Sequence, residues 1–145
     1  MNETIRIDFF PKTDPLFAHA RAIRTAVFLE EQNCPEDEEW DDADAIAQHC
    51  LCRLDGEPAG TLRCYDDEGW LRIGRLAVTR AARGKGLAGV MLSETISRGR
   101  AAGFSRSFLN AQSDKMGLYR KFGYAAVGGE FVEAGIPHYR MEVVL

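Results

Sequence analysis

The amino-acid sequence predicts an α+β fold built on a mixed, mostly antiparallel sheet of six to seven strands. Strand-like segments outnumber helical ones, and three of them follow one another between residues 46 and 78 with only short turns between them. A long amphipathic helix comes next, and the chain enters it through a basic, glycine-rich turn. The length of 145 residues is that of one domain, so we expect residues 1–145 to form a single domain.

The first strand and the first helix are predicted near the N-terminus. Apolar and polar side chains alternate over residues 4–10, as is typical of a strand, and Pro11 ends it. Asp14 can cap a helix that the chain enters at Pro15. An apolar stripe at helical spacing continues to about Gln32, so we expect one continuous helix.

The remaining elements follow in order. Asp55-Gly56 is a hairpin signal, because glycine tolerates the positive φ of tight turns. Gly123 is placed to end a short helix. In the long central helix, the face expected to meet the sheet carries Leu87, Val90, Met91 and Ile96. Strands are predicted over residues 46–54, 59–65, 71–78, 104–111, 124–133 and 138–145, and helices over 86–102 and 114–122.

Composition argues against several function classes. The net charge of −4 argues against nucleic acid as a partner, and no apolar run is long enough for a membrane span. The N-terminus lacks the layout of a secretory signal, so we expect a cytoplasmic protein. Four cysteines without C-x-x-C spacing and three histidines without ligand spacing predict no metal site. Cys50 and Cys52 share one face of a strand, which indicates buried thiols.

Acidic residues are concentrated in residues 36–44, which hold seven acids and no base. We interpret this segment as a solvated loop, with Trp40 anchoring it to the rest of the protein. A second hypothesis is that the segment attracts a cationic amine. The rest of the chain carries more bases than acids, so an anionic ligand can bind away from this segment.

The basic turn, R-A-A-R-G-K-G-L-A at residues 80–88, has the composition of an anion site. Arg83 and Lys85 supply charge, and Gly84 and Gly86 let the backbone approach an anion closely. The first N–H groups of the following helix lack helical partners and favour a phosphate.

Two familiar phosphate-binding motifs do not fit this turn. A Walker A loop needs Ser or Thr after its lysine, whereas Gly86 follows Lys85. A Rossmann fingerprint belongs to a βαβ repeat, and none follows here. The pattern that fits is R-x-x-G-x-A, from Arg83 to Ala88.

This pattern and the order of elements resemble the GNAT superfamily of N-acetyltransferases over essentially the whole chain. Residues 119–124, Y-R-K-F-G-Y, match the superfamily's Y-x-x-x-G-F/Y motif. Residues 27–35, V-F-L-E-E-Q-N-C-P, and 129–138, G-E-F-V-E-A-G-I-P-H, are similar to two segments of its ElaA-like subgroup. Ala134 stands where that subgroup often has an acidic residue, which bears on the substrate pocket.

The resemblance implies acetyl-CoA as the donor substrate and a sheet that splays between its fourth and fifth strands, with helices on both faces. The fourth-strand backbone would hold the pantetheine arm, and the basic turn would hold the diphosphate. The residues implied in binding acetyl-CoA are Leu76, Ala77, Val78, Arg83, Gly84, Lys85, Gly86, Leu87, Ala88, Asn110 and Tyr119.

The implied reaction is direct attack of a primary amine, on a small molecule or a peptide, at the thioester carbonyl. Tyr119 is the predicted general acid, because a phenol can protonate the departing thiolate. Glu130, Glu133, His138 and His49 are candidates for the general base, and the sequence does not choose among them, although His49 is better explained as structural. Tyr119, Glu130 and His138 make up the predicted catalytic set.

Two alternative functions stay open at this point. One is an acetyl-CoA-binding sensor or interaction module without turnover, and the other is an acyl-CoA-using synthase of related fold. Tyr119 together with Asn110 favours catalysis. The acceptor amine is not identified by the sequence, and a homodimer is an option because the superfamily often dimerises.

Overall fold

The computed structural model describes residues 3–145. In this part of the chain, seven strands and three of the five α-helices follow the predicted order, and two short helices lie in the stretch expected to be a loop. A π-helical segment, Thr25–Glu31, continues the first helix. The elements are β1 (Ile5–Pro11), α1 (Phe17–Arg24), α2 (Glu36–Glu39), α3 (Ala43–Ile46), β2 (Gln48–Leu54), β3 (Glu57–Asp67), β4 (Trp70–Val78), α4 (Leu87–Ala101), β5 (Arg106–Gln112), α5 (Met116–Arg120), β6 (Ala125–Glu133) and β7 (Ile136–Val144).

All seven strands join in one sheet with the order β1-β2-β3-β4-β5-β7-β6. Neighbouring strands are antiparallel except β4 and β5, which run parallel. The long connection through α4 makes that parallel pair possible, because parallel strands need a crossover. The predicted mixed, mostly antiparallel sheet is confirmed.

The parallel pair is joined at only one end. β4 and β5 pair through two residues each, beginning with Leu71 opposite Ser107. Beyond this contact β4 runs on to Val78 and β5 to Gln112 without pairing to each other. The two strands therefore diverge, as predicted, and leave a wedge-shaped opening in the sheet.

A β-bulge in β4 lies at the start of the divergence. Thr61 of β3 pairs with Ala77, but Arg63 pairs with Gly74, so two residues of β4 oppose one of β3. Arg75 sits in the bulge with a φ of 54°, a left-handed conformation that is uncommon for a residue with a side chain. The bulge bends β4 just before the stretch predicted to hold the pantetheine arm.

Helices cover both faces of the sheet, as predicted. One core packs α4 and α5 against the face that carries Cys50 and Cys52, both fully buried as expected, and the other packs α1 against the face that carries Leu51. The predicted inner face of α4 is correct except at Val90, which is 38% exposed, whereas Leu92 is fully buried. None of the helices in residues 3–145 has the length and apolar character that a membrane span requires.

The first helix departs from the predicted continuous α-helix. It is α-helical from Phe17 to Arg24 and π-helical from Thr25 to Glu31, and the Gln32 N–H donates to the Val27 carbonyl five residues back. π-Helical turns are rare and are found mostly at functional sites. Here the wider turn ends on the wall of the opening between β4 and β5.

The acidic segment is not the solvated loop that we expected. Glu39 and Asp44 are each 2% exposed, and both accept hydrogen bonds from the buried guanidinium of Arg24 at 2.7 Å. Arg24 also stacks on Trp40, 4.7 Å from the ring centroid, so Trp40 anchors the segment as predicted. The arginines that fold the segment inward come from distant parts of the chain, which is why composition alone gave the wrong answer.

Candidate active site

The opening between β4 and β5 is a cleft of about 630 Å³. Leu76, Ala77 and Val78 of β4 form one wall, and Asn110 of β5 and Tyr119 of α5 lie on the other side. Since β4 has no strand partner on this side beyond its first residues, its backbone N–H and C=O groups on that edge are available to a bound chain. The structure therefore brings these five predicted residues to one cleft.

The basic turn borders this cleft and presents unpaired backbone N–H groups. Every N–H from Gly84 to Gly89 donates to no acceptor within residues 3–145, and α4 has no side-chain cap. Gly84 and Gly86 have φ values of 83° and 76°, a conformation that glycine adopts without strain. Such a run of donors at the start of a 15-residue helix suits a diphosphate.

Side chains of the turn contribute unequally to the cleft. Arg83 and Ala88 line it, whereas Leu87 is buried in the α4 core and offers only its backbone. Lys85 forms an exposed ion pair with Glu3. Arg83 donates two hydrogen bonds to Glu31, at 2.9 and 2.8 Å, and these hold the pKa of the Glu31 carboxyl below its ordinary value.

Tyr119 is buried beside the cleft with its ring edge-on to Tyr124, 6.3 Å between centroids. Burial, with a smaller contribution from Tyr124, raises the pKa of the Tyr119 phenol well above its ordinary value. No group within residues 3–145 hydrogen-bonds the Tyr119 hydroxyl, whereas the Tyr124 hydroxyl is bonded to Ser107 at 2.8 Å. Tyr119 thus keeps its proton and has it available for a ligand in the cleft.

Among the candidate bases, His138 and Glu133 line the cleft and Glu130 does not. The Nδ1 atom of His138 lies 2.6 Å from the Ile136 carbonyl, which can only accept, so Nδ1 carries a proton. In a neutral ring Nε2 is then the basic nitrogen, and it lies 3.8 Å from Glu133. Glu130 is an exposed residue of β6 and is not brought to the predicted catalytic set.

His49 lies away from the cleft, as expected of a structural residue. It is 1% exposed, packs against Phe17, and its Nε2 lies 3.0 Å from the Asp44 carbonyl. Burial lowers its pKa below 6.5. Across residues 3–145, His, Cys, Asp and Glu side chains form no group of three placed to hold a metal ion.

The acidic segment forms the wall of the cleft beyond the bulge. Glu38, Glu39 and Asp41 line it together with Arg63 and Arg75. Arg63 donates to both oxygens of Asp41, at 2.6 and 2.8 Å, and Arg75 adds a third bond at 3.3 Å. Burial alone would raise the pKa of Asp41, but these arginines lower it, so the carboxylate is ionised and already paired. The segment therefore presents less free negative charge than its composition indicates.

Sequence reasoning missed two contacts that close the end of the cleft. Glu31 reaches Arg83, and Gln32 exchanges amide hydrogen bonds with Gln112 at 2.9 and 3.4 Å. Both residues belong to the V-F-L-E-E-Q-N-C-P string. Its resemblance to the ElaA-like subgroup was a signal that the string matters, but helical periodicity gave no reason to expect a π-helical turn.

Comparison with known proteins points to the same family as the motifs of this chain. A family model described as the acetyltransferase (GNAT) domain matches residues 22–145. The uncharacterised N-acetyltransferase YjcF of Bacillus subtilis is 33% identical over 132 residues, which cover 90% of this chain and 94% of YjcF. Crystal structures of an acyl-CoA N-acyltransferase from Pseudomonas aeruginosa and of Escherichia coli ElaA superimpose with TM-scores of 0.84 and 0.83, at 29% and 26% identity. Both superpositions cover 96% of this chain and 99% of the other protein's chain.

These matches confirm the resemblance that the motifs indicated. The chain belongs to the GNAT family of acyl-CoA-dependent N-acetyltransferases.

Proposed function

We propose that this protein transfers the acetyl group of acetyl-CoA to a primary amine, on a small molecule or a peptide, by direct attack. The observation that best supports this proposal is the junction of two features in one cleft. The unpaired N–H groups of Gly84–Gly89 offer a diphosphate site, and the free edge of β4 leads from there to Tyr119.

The fit of acetyl-CoA follows from these features. The diphosphate binds the N–H groups of the turn beside Arg83, and the pantetheine arm hydrogen-bonds the β4 backbone over Leu76–Val78. Its thioester then lies between the diverging strands, near Asn110 and Tyr119. A β4 N–H directed at the thioester oxygen would stabilise the tetrahedral oxyanion by about 3 kcal/mol.

The chemistry needs one proton removed and one supplied. The neutral amine nitrogen attacks the carbonyl carbon, the C–N bond forms, and the oxyanion collapses with cleavage of the C–S bond. We assign His138 as the base that takes the amine proton, since it lines the cleft with Nε2 free to accept. Tyr119 supplies a proton to the departing thiolate, since its hydroxyl borders the cleft and no group within residues 3–145 hydrogen-bonds it.

The test is release of the CoA thiol from acetyl-CoA against a panel of polyamines, amino acids, aminoglycosides and N-terminal peptides. Amine-dependent release, with the acetylated amine as product, is the predicted result. Binding of acetyl-CoA without release for any amine would favour the sensor module instead. Failure to bind acetyl-CoA would contradict both functions.

A further inference from the structure

All three nitrogens of the Arg83 guanidinium donate hydrogen bonds, two of them to Glu31. Its two terminal nitrogens donate to the two Glu31 carboxylate oxygens, and its Nε donates to the Val78 carbonyl at 3.1 Å. Arg80 adds a second cation 3.5 Å from Glu31. Glu31 therefore contacts two of the three cations of the basic turn, Arg80 and Arg83, while Lys85 pairs with Glu3.

The π-helical segment fixes Glu31 in this place. The next residue, Gln32, is tied by its side chain to Gln112 at the end of β5 and by its N–H to Val27. Glu31 thus reaches the turn that follows β4, while Gln32 reaches β5. Two consecutive residues bridge the ends of the strands that diverge to form the cleft.

This arrangement has a consequence for a diphosphate at the same turn. A diphosphate on the N–H groups of Gly84–Gly89 would lie beside Arg83, whose fork is suited to bidentate anion binding. The Glu31 carboxylate already pairs with the two terminal nitrogens of that fork and lines the same cleft, so it is close to where the ligand's charge would be. The two anions repel each other and compete for one cation.

We propose that Glu31 is a built-in competitor of the acyl-CoA diphosphate for Arg83, and so sets how weakly the protein binds acyl-CoA. The inference rests on the proposed function, since it requires acyl-CoA in the cleft. Glu31 acts through Arg83 and is a positioning residue. The exchange of partners at Arg83 favours departure of acyl-CoA and of CoA alike, since both carry the same diphosphate.

The test is calorimetric titration of acetyl-CoA into the wild type and into Glu31→Gln, which keeps the shape of the side chain and removes its charge. The dissociation constant falls in the variant by about threefold to fivefold, the range expected from freeing one exposed ion-pair partner. Glu30→Gln, which removes a charge from the neighbouring exposed position, changes it by less than about 1.5-fold. In an Arg83→Gln background the gain from Glu31→Gln disappears.

Three results would overturn the inference: unchanged or weaker binding by Glu31→Gln, an equal gain in Glu30→Gln, or a gain that persists without Arg83. A wild type that binds no acetyl-CoA would overturn the proposed function and this inference with it. A wild type that binds acetyl-CoA while Glu31→Gln gains nothing would overturn the inference alone.

Discussion

At the scale of single residues, Tyr119 combines a buried ring with a hydroxyl that borders the cleft. Tyr124 offers a natural comparison, because it is also buried but its hydroxyl is bonded to Ser107. The Y-R-K-F-G-Y motif was enough to predict a tyrosine near the thioester. It could not show which hydroxyl is free, because that depends on Ser107 in a separate strand.

Tyr119→Phe tests the role of the phenol. The variant keeps the ring and its packing, so the dissociation constant of acetyl-CoA stays within about twofold of the wild type. Loss of a general acid lowers kcat by about 10²- to 10⁴-fold. Steady-state kinetics of thiol release measure both values, with Tyr124→Phe as the matched loss of a hydroxyl outside the cleft. A kcat for Tyr119→Phe equal to that of Tyr124→Phe would remove Tyr119 from catalysis.

His49 makes the folded protein sensitive to mild acid. Burial lowers its pKa in the folded state below 6.5, so the unfolded chain binds the proton more tightly. The stability that neutral His49 contributes is complete above that pH and is lost as the pH falls below it, by at most about 1.4 kcal/mol per pH unit.

The corresponding variant is His49→Gln, whose amide can still donate to the Asp44 carbonyl. Urea unfolding at about pH 7.5 and about pH 5.5 should show a smaller loss of stability for the variant than for the wild type. His19→Gln, at an exposed position, should follow the wild type. Equal losses in all three proteins would show that His49 does not titrate on unfolding.

At the scale of elements, the sequence predicted the strands and helices well where the signal is local. Gly123 follows α5 with a φ of 90°, as its position indicated. The Asp14 carboxylate accepts the Leu16 N–H at 2.8 Å, but α1 begins at Phe17, two residues after the predicted start at Pro15. The π-helical segment and the bulge at Arg75 were missed. Both are accompanied by contacts with residues far away in the chain, which local patterns do not show: Gln32 at the end of the π-helical segment bonds to Gln112, and Arg75 bonds to Asp41.

The bulge predicts an unusual order of stabilities at Arg75. In a regular strand alanine is more favourable than glycine, but a φ of 54° reverses that preference. Arg75→Ala and Arg75→Gly lose the same contacts with Glu39 and Asp41, so their difference isolates the backbone. Arg75→Gly should be more stable by about 1 kcal/mol in urea unfolding. An alanine variant as stable as the glycine variant would mean that β4 rearranges when the guanidinium is lost.

At the scale of the whole molecule, buried arginines join segments that are distant in the chain. Arg24 of α1 binds Glu39 and Asp44, and Arg63 of β3 binds Asp44 and Asp41. Burial alone would raise the pKa of Asp44, but hydrogen bonds from Arg24 and Arg63 lower it. This network holds the acidic segment on the α1 face and completes the wall of the cleft.

Arg24→Met should therefore be severely destabilising. It takes one arginine from each of two buried carboxylates, leaving Asp44 with Arg63 and Glu39 with Arg75. Breaking a buried ion pair by removing one partner typically costs about 3–5 kcal/mol. Arg21→Met is the control, since Arg21 stacks on the same Trp40 ring, at 4.9 Å, from an exposed position and should change stability by about 1 kcal/mol or less. Urea unfolding compares the two, and equal values would show that the buried network does not hold the segment.

The overall fold was more predictable than the site. The splay between the fourth and fifth strands came with the GNAT resemblance, and the basic turn was recognisable from Arg83 to Ala88. The position of Glu130 could not be predicted, because the G-E-F-V-E-A-G-I-P-H string alone does not show which of its acidic side chains faces the cleft. In the structure Glu133 does and Glu130, which lies in a stretch of β6 where the register shifts, does not.

The most direct test of the proposed site is a crystal structure of the protein with CoA. The diphosphate should accept hydrogen bonds, at about 2.7–3.2 Å, from the N–H groups between Gly84 and Gly89. The pantetheine arm should follow the free edge of β4, and its sulfur should lie within reach of the Tyr119 hydroxyl. A diphosphate bound away from the turn, or a thiol outside the cleft between β4 and β5, would contradict the proposed mode of catalysis.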